Sequence, residues 1–225
     1  MILAFKIALW VHILAGVVAL LVFWVPMITK KGGRLHRRAG WVYVVAAATI
    51  ALTGLVNCAR MLTDDRPGND RAAVFLAYVG VFAAASAQMG VRALRTKKRV
   101  AASRHPVDLA PPLLLVAGGL ALAAFGLGAG KTLFVLFAAL GITVGVTQLR
   151  FWLRAPATPR AWFFAHMGGM GTSCITTLTA FVVVNARRMG LGTFDLVVWV
   201  APVLVGAVGL TIWRRYYERR SAEVA

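Results

Sequence analysis

Seven long apolar runs make up most of this chain, and they limit what it can fold into more than any other feature. No Asp or Glu residue lies well inside a run. Each run approaches or exceeds the roughly 20 residues with which a helix crosses a membrane, where backbone groups must bond internally. The runs cover residues 5–28, 41–61, 72–94, 109–127, 132–152, 162–185 and 194–216. The sequence therefore predicts an all-α integral membrane protein, a bundle of seven transmembrane helices.

The composition agrees with this class, because 60% hydrophobic residues leave too little polar surface to cover a water-soluble globule. The connections between the runs are short, and none is a Ser-rich linker or a low-complexity segment. We therefore expect residues 1–225 to form a single polytopic membrane domain without a soluble domain.

The basic residues predict the orientation of the helices. Of the 25 Lys and Arg residues, 18 lie at one set of helix ends and 7 at the other. Because cytoplasmic loops accumulate Lys and Arg, the N-terminus is predicted outside and the C-terminus inside. The formal charge of +18 is dispersed over juxtamembrane loops, which indicates anionic lipid headgroups as partners and argues against nucleic-acid binding.

Helical spacing predicts which faces point inward. In a membrane, small and hydroxyl-bearing residues belong between helices, where they allow close approach and interhelical hydrogen bonds. Steps of three and four residues produce such a stripe on the sixth run, and a similar line on the second. The stripes consist of His166, Gly169, Ser173, Thr176 and Ala180, and of Thr49, Thr53, Asn57 and Arg60. On the fifth run Thr143, Thr147 and Gln148 are scattered polar residues.

Histidines within or beside the apolar runs are the main candidates for chemistry, because ionisable groups at membrane depth are costly and mark functional sites. His36, His105, His166 and Asp108 are all predicted near the inner surface, and imidazoles with a carboxylate are ligand types for Zn²⁺. His12 is predicted roughly 16 Å from the level of His166, so one haem iron bound by both is not expected.

Three of these histidines also have an interpretation without a cofactor. His12 is explained equally well by a hydrogen bond to a neighbouring helix. His36 lies among Lys and Arg residues after a glycine pair, where a helix end and a membrane anchor explain it. His105 has basic neighbours and fits an ordinary loop residue near headgroups.

Other membrane classes are excluded on chemistry. The last run has no lysine for a retinal Schiff base, and no run carries a carboxylate counter-ion. The same lack of acids argues against a proton pump, since proton relays are usually built from them. The segment 126–132 has three residues between its first glycine and the Gly-Lys pair, whereas a phosphate-binding loop needs four.

Three segments resemble a family of predicted multi-pass bacterial membrane proteins that carries only a domain-of-unknown-function label. They are His12-x-x-x-Gly16, the string from Lys31-Gly-Gly through His36-Arg37 and Gly40 to Tyr43, and His166 followed by a Thr-Ala-Phe-Val-Val-Val-Asn run ending at Asn185. The resemblance implies a polytopic bundle of the bacterial cytoplasmic membrane. His12, His36 and His166 match the family pattern as candidate cofactor-binding residues, His105 lies outside it, and the resemblance transfers no activity.

Three functions remain open at this stage. The first is a membrane protein associated with zinc or haem through histidines on the cytoplasmic side, in which Asp108 could act as general base of a hydrolase or haem could serve a redox role. The second is a carrier or binding protein for a small uncharged or lipid-like molecule, using Asn57, Ser173, Thr176 and Asn185. The third is a structural partner of another membrane complex. Whether the chain is an enzyme, and whether it forms homo- or hetero-oligomers in the membrane, is left open.

Overall fold

The computed structural model describes residues 2–64, 66, 68–192 and 195–222. Within them the chain is helical, with short turns between the helices. A 3₁₀ turn, Ala186–Met189, follows the seventh helix. The α-helices are α1 Ile2–Val22, α2 Trp24–Ile28, α3 Arg34–Leu62, α4 Asn69–Arg95, α5 Pro106–Gly128, α6 Thr132–Leu153, α7 Ala161–Asn185 and α8 Leu196–Ala222.

Seven helices in the described residues are long and apolar enough to cross a membrane, with α1 and α2 together forming one candidate span, Leu3–Ile28. This confirms the prediction of an all-α, multi-pass membrane protein. Long apolar side chains on the first and last spans, such as Leu21 and Val205, are 70% and 74% exposed. Such surfaces suit contact with lipid. The predicted orientation of the termini stays a prediction.

The helix bounds depart from the predicted runs in three places. The first run is interrupted near Pro26, which has no N–H to donate to the carbonyl of Val22. The helix of the second run, α3, begins at Arg34, seven residues before the apolar run. His36 therefore lies inside the helix and not in a loop. The last helix continues to Ala222. In α3 and α8 the helix extends into charged residues, which helices accept well but which a search for apolar runs leaves out.

The chain packs as two compact units. The first contains the described residues of Met1–Ala84 and Leu114–Ile142, and the second those of Ala85–Leu113 and Thr143–Ala225. Helices α4, α5 and α6 each contribute residues to both units. The prediction of a single membrane domain stays a prediction, and the two units are described separately below.

The core of the first unit is built around Tyr78. Its hydroxyl donates to the carbonyl of Leu115 at 3.1 Å. A Cβ added at Gly119 would lie 2.8 Å from the Tyr78 hydroxyl oxygen, and one at Gly141 would overlap it. These helices therefore approach closely because glycine leaves room for the ring. Beside it Phe75 stacks on Phe134 with 4.6 Å between ring centroids.

In the second unit α4 and α7 approach through small residues. A Cβ at Gly169 would lie 2.6 Å from the backbone nitrogen of Gly90 and 2.7 Å from the carbonyl oxygen of Ser86. Gly169, Ser173 and Thr176 are buried. The inward-facing stripe predicted on this helix is confirmed for these three residues. Close packing of this kind is typical of helices that associate in a membrane.

Candidate functional site

Lys31, in the turn after the first span, and His36, in the first turn of α3, both lie beside the end of α2. The Lys31 ammonium donates to the carbonyl oxygens of Pro26 at 2.8 Å and Met27 at 2.6 Å. The His36 ring contacts the same Pro26 oxygen through Nδ1 at 3.1 Å. The last carbonyls of a helix have no partner within the helix, so these side chains complete the end of α2. Burial lowers the pKa of Lys31 below its ordinary value. Gly32, at φ 75°, makes the turn.

His12 joins α1 to α3 within the first unit. Its Nδ1 lies 3.0 Å from the hydroxyl oxygen of Thr53. That hydroxyl donates its single hydrogen to the carbonyl of Thr49 at 2.6 Å. The imidazole must therefore be the donor in the first of these bonds. This geometry supports the interpretation of His12 as a residue that bonds a neighbouring helix.

His166 makes the corresponding bond in the second unit. Its Nδ1 lies 2.9 Å from the carbonyl oxygen of Gly90 on α4. A carbonyl only accepts, so Nδ1 carries a hydrogen and donates it. The bond crosses between α7 and α4 at the level where Gly169 allows their close approach.

The Nδ1 hydrogen bonds distinguish three of the histidines from the fourth. In His12, His36 and His166, Nδ1 lies within hydrogen-bond distance of an oxygen on a neighbouring element. Metal-binding histidines typically have this arrangement, in which one ring nitrogen donates to the protein and the other faces the metal. His105 is the opposite case, because its Nδ1 accepts from the backbone N–H of Val107 at 3.2 Å. His105 thus closes a turn before α5.

Both carboxylate oxygens of Asp108 accept hydrogen bonds from neighbours in the second unit. Asp108 is 1% exposed, and one oxygen accepts from Arg92 Nε at 2.6 Å while the other accepts from the Ser103 hydroxyl at 2.7 Å. It also lies in the first turn of α5, where the helix dipole favours a negative charge. These contacts explain Asp108 as a structural residue.

The basic connection before α5 has a structural role as well. The Arg99 guanidinium donates to the carbonyls of Phe151 at 2.8 Å and Arg154 at 2.7 Å, and lies 4.7 Å from the centre of the Phe151 ring. It therefore satisfies carbonyl groups at the end of α6. Burial lowers the pKa of Arg99, which stays a cation near neutral pH.

The predicted metal ligands are distributed over both units. His36 belongs to the first unit, and His105, Asp108 and His166 belong to the second. Among the described residues no group of three or more His, Cys, Asp or Glu is placed to hold a metal ion. Within the first unit, His12 is level with Thr53, which follows His36 by 17 residues on α3 and so lies about 25 Å further along. His12 and His36 would therefore bind separate ligands.

The residues proposed for a carrier site lie on α3 and α7. Asn57 is half-buried on α3 of the first unit, and Ser173 is fully buried on α7. The Thr176 hydroxyl donates to the carbonyl of Thr172 at 2.9 Å. The Asn185 amide donates to the carbonyl of Phe181 at 2.8 Å. None of the four lines the cavity described next.

A cavity of about 900 Å³ lies within the second unit, between α6, α7 and the end of α8. Most of its wall is apolar and comes from Met89, Val144, Phe151 and Phe164. Gly168 also lines it, and a Cβ built there would meet no atom within 4 Å. The cavity therefore has room that the protein's own side chains do not fill.

Charged residues lie at one end of this cavity. Arg160, Arg214 and Glu218 line it near the start of α7 and the end of α8. Arg214 Nε donates to Glu218 at 2.7 Å, and the two side chains are 62% and 44% exposed. From Ala161 to Thr172, which also line the cavity, α7 rises about 16 Å. The cavity thus runs from a charged rim to an apolar interior.

Gln148 is a polar residue of the wall to which the sequence analysis gave no role. It is 5% exposed and lines the cavity, yet its carboxamide bonds to no other residue in the described part of the chain. The sequence showed only a polar residue within the fifth apolar run. Its significance depends on the spacing of helices distant in sequence, which no local pattern reports.

Comparison with known proteins leaves the function to be argued from this geometry. No protein-family model, curated protein or solved structure matches the chain. The resemblance carried by the segments around His12, His36 and His166 stays a prediction.

Proposed function

We propose that this multi-pass membrane protein binds an amphipathic, lipid-like molecule in the cavity of its second unit. The observation that supports this proposal is the combination of a 900 Å³ volume, an apolar wall and a charged rim. Ligand sites typically have volumes of about 300–1,000 Å³, with mostly apolar walls and a few polar groups that set orientation.

The dimensions agree with a lipid of one leaflet. The roughly 16 Å between the levels of Ala161 and Thr172 is about half of the 30 Å hydrocarbon thickness of a bilayer. An acyl or prenyl chain that enters beside Phe164 and Val144 would replace bilayer lipid with protein contacts, while its polar end stays at the rim. The apolar wall and the charged rim are thus matched to the two ends of such a molecule.

The charge of the rim favours an acidic headgroup. Two arginines, Arg160 and Arg214, and one acid, Glu218, line the rim. Basic groups at a membrane surface attract anionic lipids. In the predicted orientation this rim faces the cytoplasm, and we propose the bacterial cytoplasmic membrane as the location. There the cytoplasmic leaflet would supply the ligand.

A cavity-filling substitution tests this proposal. Gly168→Leu places a side chain in the cavity at a position where a Cβ meets no atom within 4 Å. Gly209→Leu adds the same side chain at an exposed helical position that does not line the cavity. Both proteins would be purified in mild detergent and their lipid measured by mass spectrometry. We expect Gly168→Leu to retain severalfold less lipid than wild type, and Gly209→Leu to retain as much lipid as wild type. Equal retention in all three would contradict the proposal.

Metal or haem binding is the second candidate, and the Nδ1 hydrogen bonds of His12, His36 and His166 support it, because metal-binding histidines typically bond the protein through one ring nitrogen. A haem iron needs only one or two axial ligands, so single histidines suffice for it. Elemental mass spectrometry of the purified protein tests this, with His105→Ala as the matched control for His166→Ala. Iron or zinc that His166→Ala loses and His105→Ala keeps would favour this candidate, and metal at background in wild type would exclude it.

A further inference from the structure

Gln148 in the cavity wall lacks the hydrogen bonds that a buried carboxamide requires. Its side chain can donate two hydrogen bonds and accept two. It is 95% buried, since 5% is exposed, and makes none with the described residues. An unmet buried polar group is unfavourable, particularly at membrane depth. A ligand in the cavity would supply the missing partner.

An uncharged partner suits Gln148, because the lining residues within one turn of it on α6 carry no charge. They are Val144, Thr147 and Phe151. Thr147 donates its hydroxyl hydrogen to the carbonyl of Thr143 at 2.8 Å. A carbonyl or a hydroxyl fits this setting.

The position of Gln148 along α6 gives its distance from the end of the helix. Gln148 lies five residues before Leu153, the last residue of α6, and therefore about 8 Å inside the helix end. The charged rim of Arg160, Arg214 and Glu218 lies at that end of the cavity. In an ester-linked glycerolipid the carbonyls stand between the charged headgroup and the acyl chains. The order along the cavity is the same: charges, then an uncharged hydrogen-bonding group, then apolar wall.

We infer that the ligand is an ester-linked glycerolipid with an anionic headgroup, and that the Gln148 carboxamide donates to one of its ester carbonyls. This inference rests on the proposed function and specifies the ligand of the same cavity. The phosphate lies at the rim, where the Arg214 guanidinium is 5.8 Å from the centre of the Phe164 ring, and the acyl chains extend past Val144 and Gly168. Gln148 is the residue that selects a carbonyl-bearing lipid.

Two lipids that differ only in the ester carbonyls test the inference. Dioleoyl phosphatidylglycerol and its diether analogue would be titrated into delipidated wild-type protein in detergent, with binding followed by native mass spectrometry. One net hydrogen bond predicts about a three- to tenfold preference for the diester in wild type. Gln148→Leu is expected to bind both lipids with the weaker affinity. Gln88→Leu, a glutamine on α4 that does not line the cavity, should keep the preference.

The outcomes separate this inference from the proposed function. If wild type binds the two lipids equally while Gly168→Leu weakens both, the inference is overturned and the cavity function stands. If neither lipid binds saturably and Gly168→Leu equals wild type, both are overturned. The comparison of the two lipids on wild type needs no variant, so it decides the matter even if Gln148→Leu fails to fold, and Gln148→Met is a second variant of similar volume.

Discussion

Polar side chains in the two units differ in their hydrogen bonds. The comparison is between Lys31 and His36, beside the end of α2 in the first unit, and Gln148, in the cavity wall of the second. Lys31 and His36 both donate to carbonyls at the end of α2. In the cavity wall, a carboxamide that is 5% exposed has no partner among the described residues. The residues that attract attention in the sequence are explained by helix ends and helix contacts. The less conspicuous Gln148 lines a cavity in which a ligand could supply its hydrogen bonds.

The largest effect on stability is expected at Asp108. Both of its carboxylate oxygens accept a hydrogen bond, from Arg92 and from Ser103. Asp108→Ala leaves Arg92 without its counter-ion and should lower the free energy of unfolding by about 2–3 kcal/mol, somewhat less than for a fully buried pair because Arg92 is 22% exposed. Thermal unfolding in detergent measures this, with exposed Asp70→Ala as the control. Equal stability of the two variants would contradict the structural role of Asp108. Arg92→Leu added to Asp108→Ala should recover part of the loss.

A packing change in the first unit should have the next largest effect. Gly141→Ala places a methyl group on the Tyr78 hydroxyl, which must move away from the Leu115 carbonyl. Overpacking of this kind costs about 1–3 kcal/mol. Gly16→Ala is the control in the same unit, because a Cβ there meets nothing within 4 Å. An unchanged melting temperature for Gly141→Ala would contradict the close helix contact.

Lys31→Met tests whether the turn is structural. The variant keeps a side chain of similar length but loses two charged hydrogen bonds to helix carbonyls. We expect the free energy of unfolding to fall by about 1 kcal/mol. Lys30→Met, at an exposed neighbour, is the control. Lipid retention should stay as in wild type for both. A selective loss of bound lipid in Lys31→Met would place the turn in a ligand site and remove the contrast drawn above.

Gln148→Leu should change stability in the opposite direction. Replacing an unpartnered buried carboxamide with an apolar side chain of similar volume is expected to raise the free energy of unfolding of the delipidated protein by about 1 kcal/mol. Chemical denaturation with and without added phosphatidylglycerol measures the effect. A clear destabilisation without lipid would mean that Gln148 has a structural partner, as Lys31 and Asp108 do.

The smallest effect is expected at the exposed pair of Asp64 and Arg66. The hydrogen bond from Arg66 lowers the pKa of Asp64 below its ordinary value of 3.8. A lowered carboxyl pKa adds stability above the ordinary value, which is lost as the pH falls through the lowered one. Solvent screens this pair, so Asp64→Asn should have the melting temperature of wild type between pH 5 and pH 8. A shift of several degrees would show that the pair is shielded from solvent.

The sequence predicted the fold because apolar length and helical spacing are local properties. Seven spans follow from the runs, and the buried face of Gly169, Ser173 and Thr176 follows from steps of three and four residues. The start of α3 at Arg34 was missed because a helix continues into polar residues where lipid no longer requires apolar ones. The cavity and the role of Gln148 could not be predicted, since both depend on the distance between helices that are far apart in sequence.

Photocrosslinking with a diester lipid that carries a photoreactive acyl chain tests the central claim most directly. Peptides containing Val144–Phe151 and Phe164–Thr172 would be compared with peptides of α1, whose side chains such as Leu21 are exposed to bulk lipid. A bound lipid predicts that unlabelled phosphatidylglycerol competes the label away from the cavity peptides at low concentration, while labelling of α1 declines only with dilution. Equal competition on all peptides would mean that the cavity contacts bulk lipid alone, and would contradict a lipid-binding site.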